Sequence, residues 1–237
     1  MIMEFDLSKA KDGILLVDKP VGWTSFDVCA KIRGQIRAHY RQRAEKPTKR
    51  QLRVGHAGTL DPFATGLLII LLGDATKLAD KFLKQSKQYQ ATVRLGQNST
   101  TGDPEGELSE ISGLQPSRQE VEAACQSFVG QVSQTPPTYS AIKINGQRAY
   151  KLARAGKEVE MPSRQVEIFS IEILDYQYPD LKIRTHVSSG TYIRTLAEDI
   201  GARLGTGAYC HQLRRNQIGD YSVEDSQVLS DMKNGVQ

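Results

Sequence analysis

The sequence predicts an α+β fold, and three observations carry that expectation. Runs with strand periodicity alternate irregularly with runs of helical periodicity, without the βαβ rhythm of a doubly wound sheet. Two capping boxes mark helix starts inside the chain, Thr24 with Asp27 and Ser117 with Glu120. Several strand-like runs follow one another closely enough to pair as antiparallel neighbours.

Taken in order, Ile14, Leu15, Leu16 and Val17 predict a buried strand over 13–18, closed by the turn signature Asp18-Lys19-Pro20 with Gly22. After the first capping box, Phe26, Cys29, Ile32 and Ile36 recur at helical spacing. Residues 67–72 are solidly aliphatic and short, which fits a central strand covered on both faces. Over 87–96, Tyr89, Ala91, Val93 and Leu95 alternate with polar neighbours, as in a half-buried strand. Residues 98–107, rich in Gly, Ser, Thr and acids, read as a loop. Val121, Ala124, Cys125 and Phe128 continue the second capped helix, and Pro136-Pro137 stops what precedes it. Residues 139–144 with Asn145-Gly146 predict a hairpin-like reversal, and Tyr150, Leu152 and Ala153 a short helix. Two strands are expected over 166–174 and 181–187. Ile193, Leu196, Ala197, Ile200 and Leu204 then line one face of a helix ending at Gly205. With no fixed-period repeat and no clear linker, residues 1–237 are expected to form one catalytic domain with two lobes around an active-site cleft.

Composition narrows the class. The 237 residues are 39% hydrophobic and 24% charged, with no apolar run long enough to span a bilayer and no signal-peptide pattern, so a soluble, cytoplasmic protein without membrane association is expected. Cys29, Cys125 and Cys210 are scattered and odd in number, and read as reduced packing residues. Cys210 and His211 are adjacent, but two neighbouring side chains rarely converge on a metal, and no ligand cluster has zinc-like spacing.

The net charge of +4 says little until its distribution is read. Between 31 and 53 stand Lys31, Arg33, Arg37, Arg41, Arg43, Lys46, Lys49, Arg50 and Arg53 against Glu45 alone. That segment carries +8, leaving 4 − 8 = −4 for the rest. Such a block is either the electrostatic footprint of a nucleic-acid binder or a solvated loop.

The densest chemical signal is Gly55-His56-Ala57-Gly58-Thr59-Leu60-Asp61-Pro62-Phe63-Ala64-Thr65-Gly66-Leu67-Leu68. Its glycines and proline describe a tightly turning backbone that lets a partner approach closely. Pro62 keeps Asp61 out of the helical region, at the rim of the following strand. A carboxylate fixed there could act as nucleophile or base, or simply cap a turn; His56 could be functional or a loop hydrogen-bonder.

This segment resembles the nucleophile motif of the TruB family of pseudouridine synthases, whose pattern is approximately GHxGTLDPxATGLL. Supporting matches follow in register: Gly13-Ile14-Leu15-Leu16-Val17-Asp18-Lys19-Pro20 with Gly22 and Ser25, then Lys87-Gln88-Tyr89, Pro136-Pro137 with Tyr139-Ser140-Ala141, Gly190-Thr191-Tyr192-Ile193-Arg194, and Leu213-Arg214-Arg215. They cover residues 13–219, nearly the whole chain. The resemblance implies the pseudouridine synthase fold, a central, mostly antiparallel mixed sheet flanked by helices. It also implies an isomerase that needs no metal or redox cofactor and converts a uridine in RNA to pseudouridine.

On that resemblance Asp61 is the nucleophile that forms a covalent adduct with the target nucleoside, after which uracil rotates and a C–C glycosidic bond replaces the C–N bond. Arg194 corresponds to the arginine that pairs with this carboxylate; the spacing alone equally allows a surface pair with Glu198. Tyr89 corresponds to the aromatic that stacks on the base and is implicated in removing the C5 proton; by pattern alone it is an inward-facing strand residue. Tyr192 and Leu213 correspond to uracil-pocket residues, and His56 to the residue that fills the space vacated by the flipped base. Lys19 and Pro20 match a loop that supports the site.

The implied partner is tRNA, at uridine 55 of the TψC stem-loop, recognised by shape through phosphate and 2′-hydroxyl contacts. Arg41, Arg43, Lys46, Lys49 and Arg50 are the expected RNA-binding residues. They lie in 38–51, which reads as a basic insertion longer than the family's usual connection. Bacterial members carry a C-terminal RNA-binding domain of the PUA type after the Leu-Arg-Arg strand. That domain is expected to be missing here, at the expense of affinity more than catalysis, with the insertion partly compensating. A monomer without an obligate protein partner is expected. A synthase for another tRNA or rRNA site, a tRNA-folding chaperone and, more remotely, a glycoside hydrolase are the competing readings.

Overall fold

A computed structural model describes residues 5–140, 142–144, 146–156 and 160–228. In chain order the regular elements are β1 (Ile14–Lys19), α1 (Ser25–Gln42), β2 (Val54–His56), β3 (Thr65–Leu72), α2 (Ala79–Leu83), β4 (Lys87–Leu95), β5 (Gln97–Ser99), β6 (Leu108–Glu110), α3 (Arg118–Gln126) and β7 (Gly130–Gln134). They continue with β8 (Lys143–Ile144), β9 (Gln147–Arg148), α4 (Ala149–Arg154), β10 (Arg164–Gln177), β11 (Asp180–Val187), α5 (Ile193–Leu204), β12 (Ala208–Ile218), β13 (Tyr221–Ser222) and β14 (Gln227–Val228). Two compact units result: Met1–Lys87 with Arg214–Gln237, and Gln88–Leu213. Among the described residues no helix is long and apolar enough to cross a membrane.

In the first unit β3 is the organising strand. It pairs antiparallel with β1, Asp18 opposite Leu67, and antiparallel with β2, His56 opposite Ile70. The end of β12 joins it in parallel, Arg214 opposite Thr65 and Arg215 opposite Gly66. Its continuous aliphatic run is explained by burial on both sides. Leu68 and Ile70 pack with Leu15, Val17 and the α1 residues Val28, Cys29, Ile32 and Ile36, while Leu67, Ile69 and Leu71 pack with Ala57, Phe82 and Ile218. Each such side chain contributes about 1.5–3 kcal/mol on burial, so the sandwich over β3 anchors whatever its ends carry.

The capping box that starts α1 is complete: Asp27 N donates to Thr24 Oγ1 at 3.0 Å, and Thr24 N donates to the Asp27 carboxylate at 2.8 Å. Helix α1 extends through Ala38–Gln42, so the first part of the expected basic insertion is helical.

In the second unit the strand order is β12, β4, β11, β10, β7. Strand β10 pairs antiparallel with β11 and with β7. The two strands expected over 166–174 and 181–187 are this pair, and β10 is longer than its hydrophobic signal because two register shifts break the alternation. Helix α5 buries Ile193, Leu196, Ala197 and Ile200 and ends at a left-handed Gly205. The expected loop over 98–107 requires correction at its start: Gln97–Ser99 pairs antiparallel with Leu108–Glu110. This ladder is polar and partnered across the loop, so no apolar alternation announced it. Of the Asn145-Gly146 reversal, β8 and β9 pair as anticipated, while Asn145 lies outside the described residues.

One position shows how tightly the first unit is fitted. Gly66 has φ +103°, and a Cβ there would run into the backbone of Arg215 on the adjoining strand. Gly66→Ala is expected to lower stability by about 2 kcal/mol or more, through the disfavoured φ and the loosened β3–β12 approach. The urea midpoint of unfolding measures it.

Candidate active site

The sequence-predicted residues fall on both units. Asp61 and His56 belong to the first, and Tyr89, Tyr192, Arg194 and Leu213 to the second. Each half is held by its own buried polar groups.

In the first unit Asp61 lies half-buried on the loop between β2 and β3. Several backbone groups around it are held. Arg215 donates through Nη2 to Gly58 O at 3.1 Å, through Nη1 to Thr59 O at 3.4 Å and through Nε to Leu67 O at 2.8 Å. Leu60 N donates to Ser25 Oγ at 2.9 Å, and the same hydroxyl donates to Leu60 O at 3.2 Å. Pro62 O accepts from Gly22 N at 2.8 Å and from Lys19 Nζ at 3.4 Å. Lys19 Nζ also donates to Pro20 O and Trp23 O, at 2.9 and 2.7 Å. Ala64 N closes the turn on Asp61 O.

Lys19, Ser25 and Arg215 are 0%, 2% and 1% exposed. Buried polar groups of this kind are tolerable only when their hydrogen bonds are made, so the carbonyls of the loop are obliged to stay where the cations and hydroxyl meet them. A loop that would ordinarily be mobile is thereby fixed on both sides of the carboxylate. Lys87 adds a second buried cation, donating to Leu83 O and Gln85 O, each at 2.6 Å. Burial, with the Arg215 charge as second cause, pushes its pKa down to about 8. Arg214 forms a bidentate pair with Asp18, at 3.0 and 2.7 Å, binding β12 to β1. His56 is half-buried on β2.

In the second unit Arg194 sits in the first turn of α5 and is 3% exposed. Its Nη1 donates to Asp103 Oδ2 and to Thr101 O, both at 2.9 Å, and its Nη2 to Tyr139 O at 2.8 Å. Arg194 and Asp103 are each about 4% exposed in this ion pair, so Arg194 is not a surface residue. Glu198 nevertheless feels the cluster. Its carboxyl is pushed up to about 7 by burial first, while Arg194 pulls the other way and Asp199 and Asp103 push further up. Glu198 lies against Gly102, where a Cβ would come within 2.8 Å of its Oε1.

Tyr192 precedes α5 and is clamped by the 1%-exposed Gln134, which accepts from Tyr192 N at 2.7 Å and donates to Tyr192 O at 3.0 Å. The Arg164 guanidinium lies over its ring, 5.0 Å from the centroid. Tyr89 and Leu213, 8% and 9% exposed, stand on the neighbouring strands β4 and β12. Arg41, Arg43, Lys46, Lys49 and Arg50 are all exposed, and Arg50 pairs with Asp74.

Three groups have no role that the sequence discloses. Asp103 sits in a stretch that reads only as a loop, and Gln134 just before a proline stop. Arg215 is a motif match without a role. None has a local signal, because each is defined by partners 58 or more residues away along the chain.

Two family profiles match the chain: "TruB family pseudouridylate synthase (N terminal domain)" over residues 45–193, and "tRNA pseudouridylate synthase B C-terminal domain" over 194–237. Curated relatives named "tRNA pseudouridine synthase B" include those of Thermobifida fusca (strain YX), 41% identical over 93% of this chain and 74% of the relative, and Phocaeicola vulgatus, 44% identical over 91% and 89%. The Burkholderia lata relative is 44% identical over 92% of this chain, which spans 64% of that protein. Among solved structures, "Crystal Structure of a Cbf5-Nop10-Gar1 Complex" superposes with a TM-score of 0.68 at 28% identity, covering 92% of this chain and 52% of that one.

The buried carboxyl of Glu198 yields a prediction with a defined sign. Its folded-state pKa, about 7, lies above the ordinary 4.5, so the folded chain holds the extra proton and loses this contribution as pH rises from about 4.5 through 7. Glu198→Gln, which keeps the neutral shape, should therefore gain in Tm relative to the parent as pH rises across that window. A Tm difference that is flat with pH would contradict it.

Proposed function

The chain belongs to the TruB family of pseudouridylate synthases, and from that premise we propose that it isomerises uridine to pseudouridine in tRNA, at uridine 55 of the TψC loop. The observation that carries the residue-level reading is the immobilised Gly58–Pro62 backbone, held by Lys19, Ser25 and Arg215. A nucleophile that must form and release a covalent bond gains from a position fixed in advance, because little conformational freedom is then lost on reaching the transition state.

In this reading the target base is flipped out of its loop and the Asp61 carboxylate forms an adduct with the nucleoside. The C1′–N1 bond breaks, the uracil turns to present C5, and the C1′–C5 bond forms. The bond between the nucleoside and Asp61 breaks to release the carboxylate, C5 loses its proton and N1 takes one up, so the reaction balances without a co-reactant. Tyr89 is assigned to the base and to its C5 proton, Tyr192 and Leu213 to the uracil pocket, and His56 to the space the base leaves. Arg194 is assigned as the cation that favours an ionised nucleophile. Its engagement by Asp103 and two carbonyls supports a fixed guanidinium.

Recognition is assigned to folded shape, with Arg41, Arg43, Lys46, Lys49 and Arg50 on phosphates; their exposure supports this. The protein is taken to work in the cytoplasm, as a monomer.

Asp61→Asn is expected to abolish pseudouridine formation in an unmodified TψC stem-loop while leaving RNA affinity within about threefold of the parent, as the amide keeps shape and loses nucleophilicity. Product retained by this variant refutes the nucleophile. Biological rescue by an inactive variant would instead favour a tRNA-folding role.

Neutralising Arg41, Arg43, Lys46, Lys49 and Arg50 together should weaken tRNA binding and flatten the plot of log affinity against log salt, by about 0.7–0.9 for each phosphate no longer neutralised. An unchanged slope removes these residues from the interface.

A further inference from the structure

Helix α1 carries a surface that its own fold does not use. The buried side of the helix is made by Ser25, Val28, Cys29, Ile32, Gln35 and Ile36. At 100° per residue, Phe26, Ala30, Gly34, Arg37 and Arg41 stand on the opposite side, and all five are exposed. Phe26 is 64% exposed, and Val21, in the turn before the helix, is equally open. An aromatic side chain left in water at the start of a helix has no role in the core.

Its position is informative. Ser25, the residue before Phe26, is bonded to Leu60, and Gly22 is bonded to Pro62, so this end of α1 is tied to the two residues that flank Asp61. Farther along, Gly34 sits in the middle of an 18-residue helix, where glycine is disfavoured relative to alanine. Packing does not require it, because a Cβ at Gly34 would meet nothing within 4 Å. Arg37 and Arg41 then place two cations on the same line, leading into the exposed basic stretch around Arg43 and Lys46. The acid beside Phe26, Asp27, is engaged by Thr24 N and Oγ1, and its pKa is lowered by those bonds.

We propose that this outward face of α1 is a docking track for the sugar-phosphate backbone of the RNA substrate, with Phe26 stacking on an unpaired base beside the nucleophile loop. The low profile at Ala30 and Gly34 lets the backbone lie close to the helix, and Arg37 and Arg41 neutralise its phosphates. Positive charge complementary to phosphate, together with an aromatic platform, is the combination by which single-stranded and looped nucleic acid is held. The inference rests on the RNA substrate proposed above and deepens it: the track is a rigid helix face, distinct from the loop that follows it.

The test uses the full-length protein and an unmodified TψC stem-loop RNA, with equilibrium binding across a salt series and single-turnover pseudouridine formation at saturating RNA. Phe26→Ala should weaken binding about fivefold or more without altering the salt slope, and Phe26→Leu should not restore it. Arg37→Gln should weaken binding and reduce the slope by about 0.7–0.9. Gly34→Leu should raise Tm yet weaken binding, an outcome that helix stability alone cannot produce. Lys84→Gln, an exposed lysine off this face, makes the same charge change as a control. Lys84→Gln should keep the saturated rate of the parent. Equal effects of Arg37→Gln and Lys84→Gln, unchanged affinity in Gly34→Leu, or rescue by Phe26→Leu would each overturn the track. So would a dimer that Phe26→Ala dissociates, which would assign the face to self-association. Failure of the proposed reaction is read separately, as absence of pseudouridine with the parent protein, and leaves the binding comparison intact.

Discussion

The guanidinium of Arg215, 1% exposed, is the constraint on which the first unit depends. A buried cation deprived of its hydrogen bonds would cost several kcal/mol, so the three carbonyls it meets, on Gly58, Thr59 and Leu67, are locked to one arrangement. For the guanidinium to reach them, β12 must lie against the start of β3, and that approach needs a residue without a Cβ at Gly66. The Asp61 loop, the sheet register and the glycine are therefore one solution to a single electrostatic demand. Lys19 and Ser25 secure the other side of the loop, and Lys87 on a neighbouring strand has its pKa lowered first by burial and then by the Arg215 charge.

A comparable arrangement organises the second unit. Arg194 emerges from the first turn of α5 and is met by Asp103 and two carbonyls, so its head group is fixed by hydrogen bonds from two separate loops. Glu198, one turn along, shares that cluster and adjusts by holding its proton more tightly instead of adding a second negative charge to a confined space.

Legibility followed the range of the forces involved. The strand over 67–72 and the helix ending at Gly205 were readable because burial imposes a local period on the residues involved. Both capping boxes formed as the sequence indicated, since their bonds span three residues. By contrast, the β5–β6 ladder and the short strands β2 and β14 are made by partners outside the window in which periodicity can be seen. Arg194 illustrates the same division. Its motif singled it out, yet spacing equally allowed a surface pair with Glu198, and only burial against Asp103 removed that alternative.

The sequence by itself determined the α+β class, the principal helices and strands, the glycine-rich motif around Asp61 and the family to which they belong, because these depend on residue type and short spacing. Tertiary structure decided what fixes the Asp61 loop, that Asp103 meets Arg194 in a buried pair, and which side of α1 remains open with Phe26 and Gly34 upon it. Those outcomes depend on burial, since a lysine, serine or arginine becomes a clamp only when the folded chain excludes water and leaves backbone carbonyls to take its place.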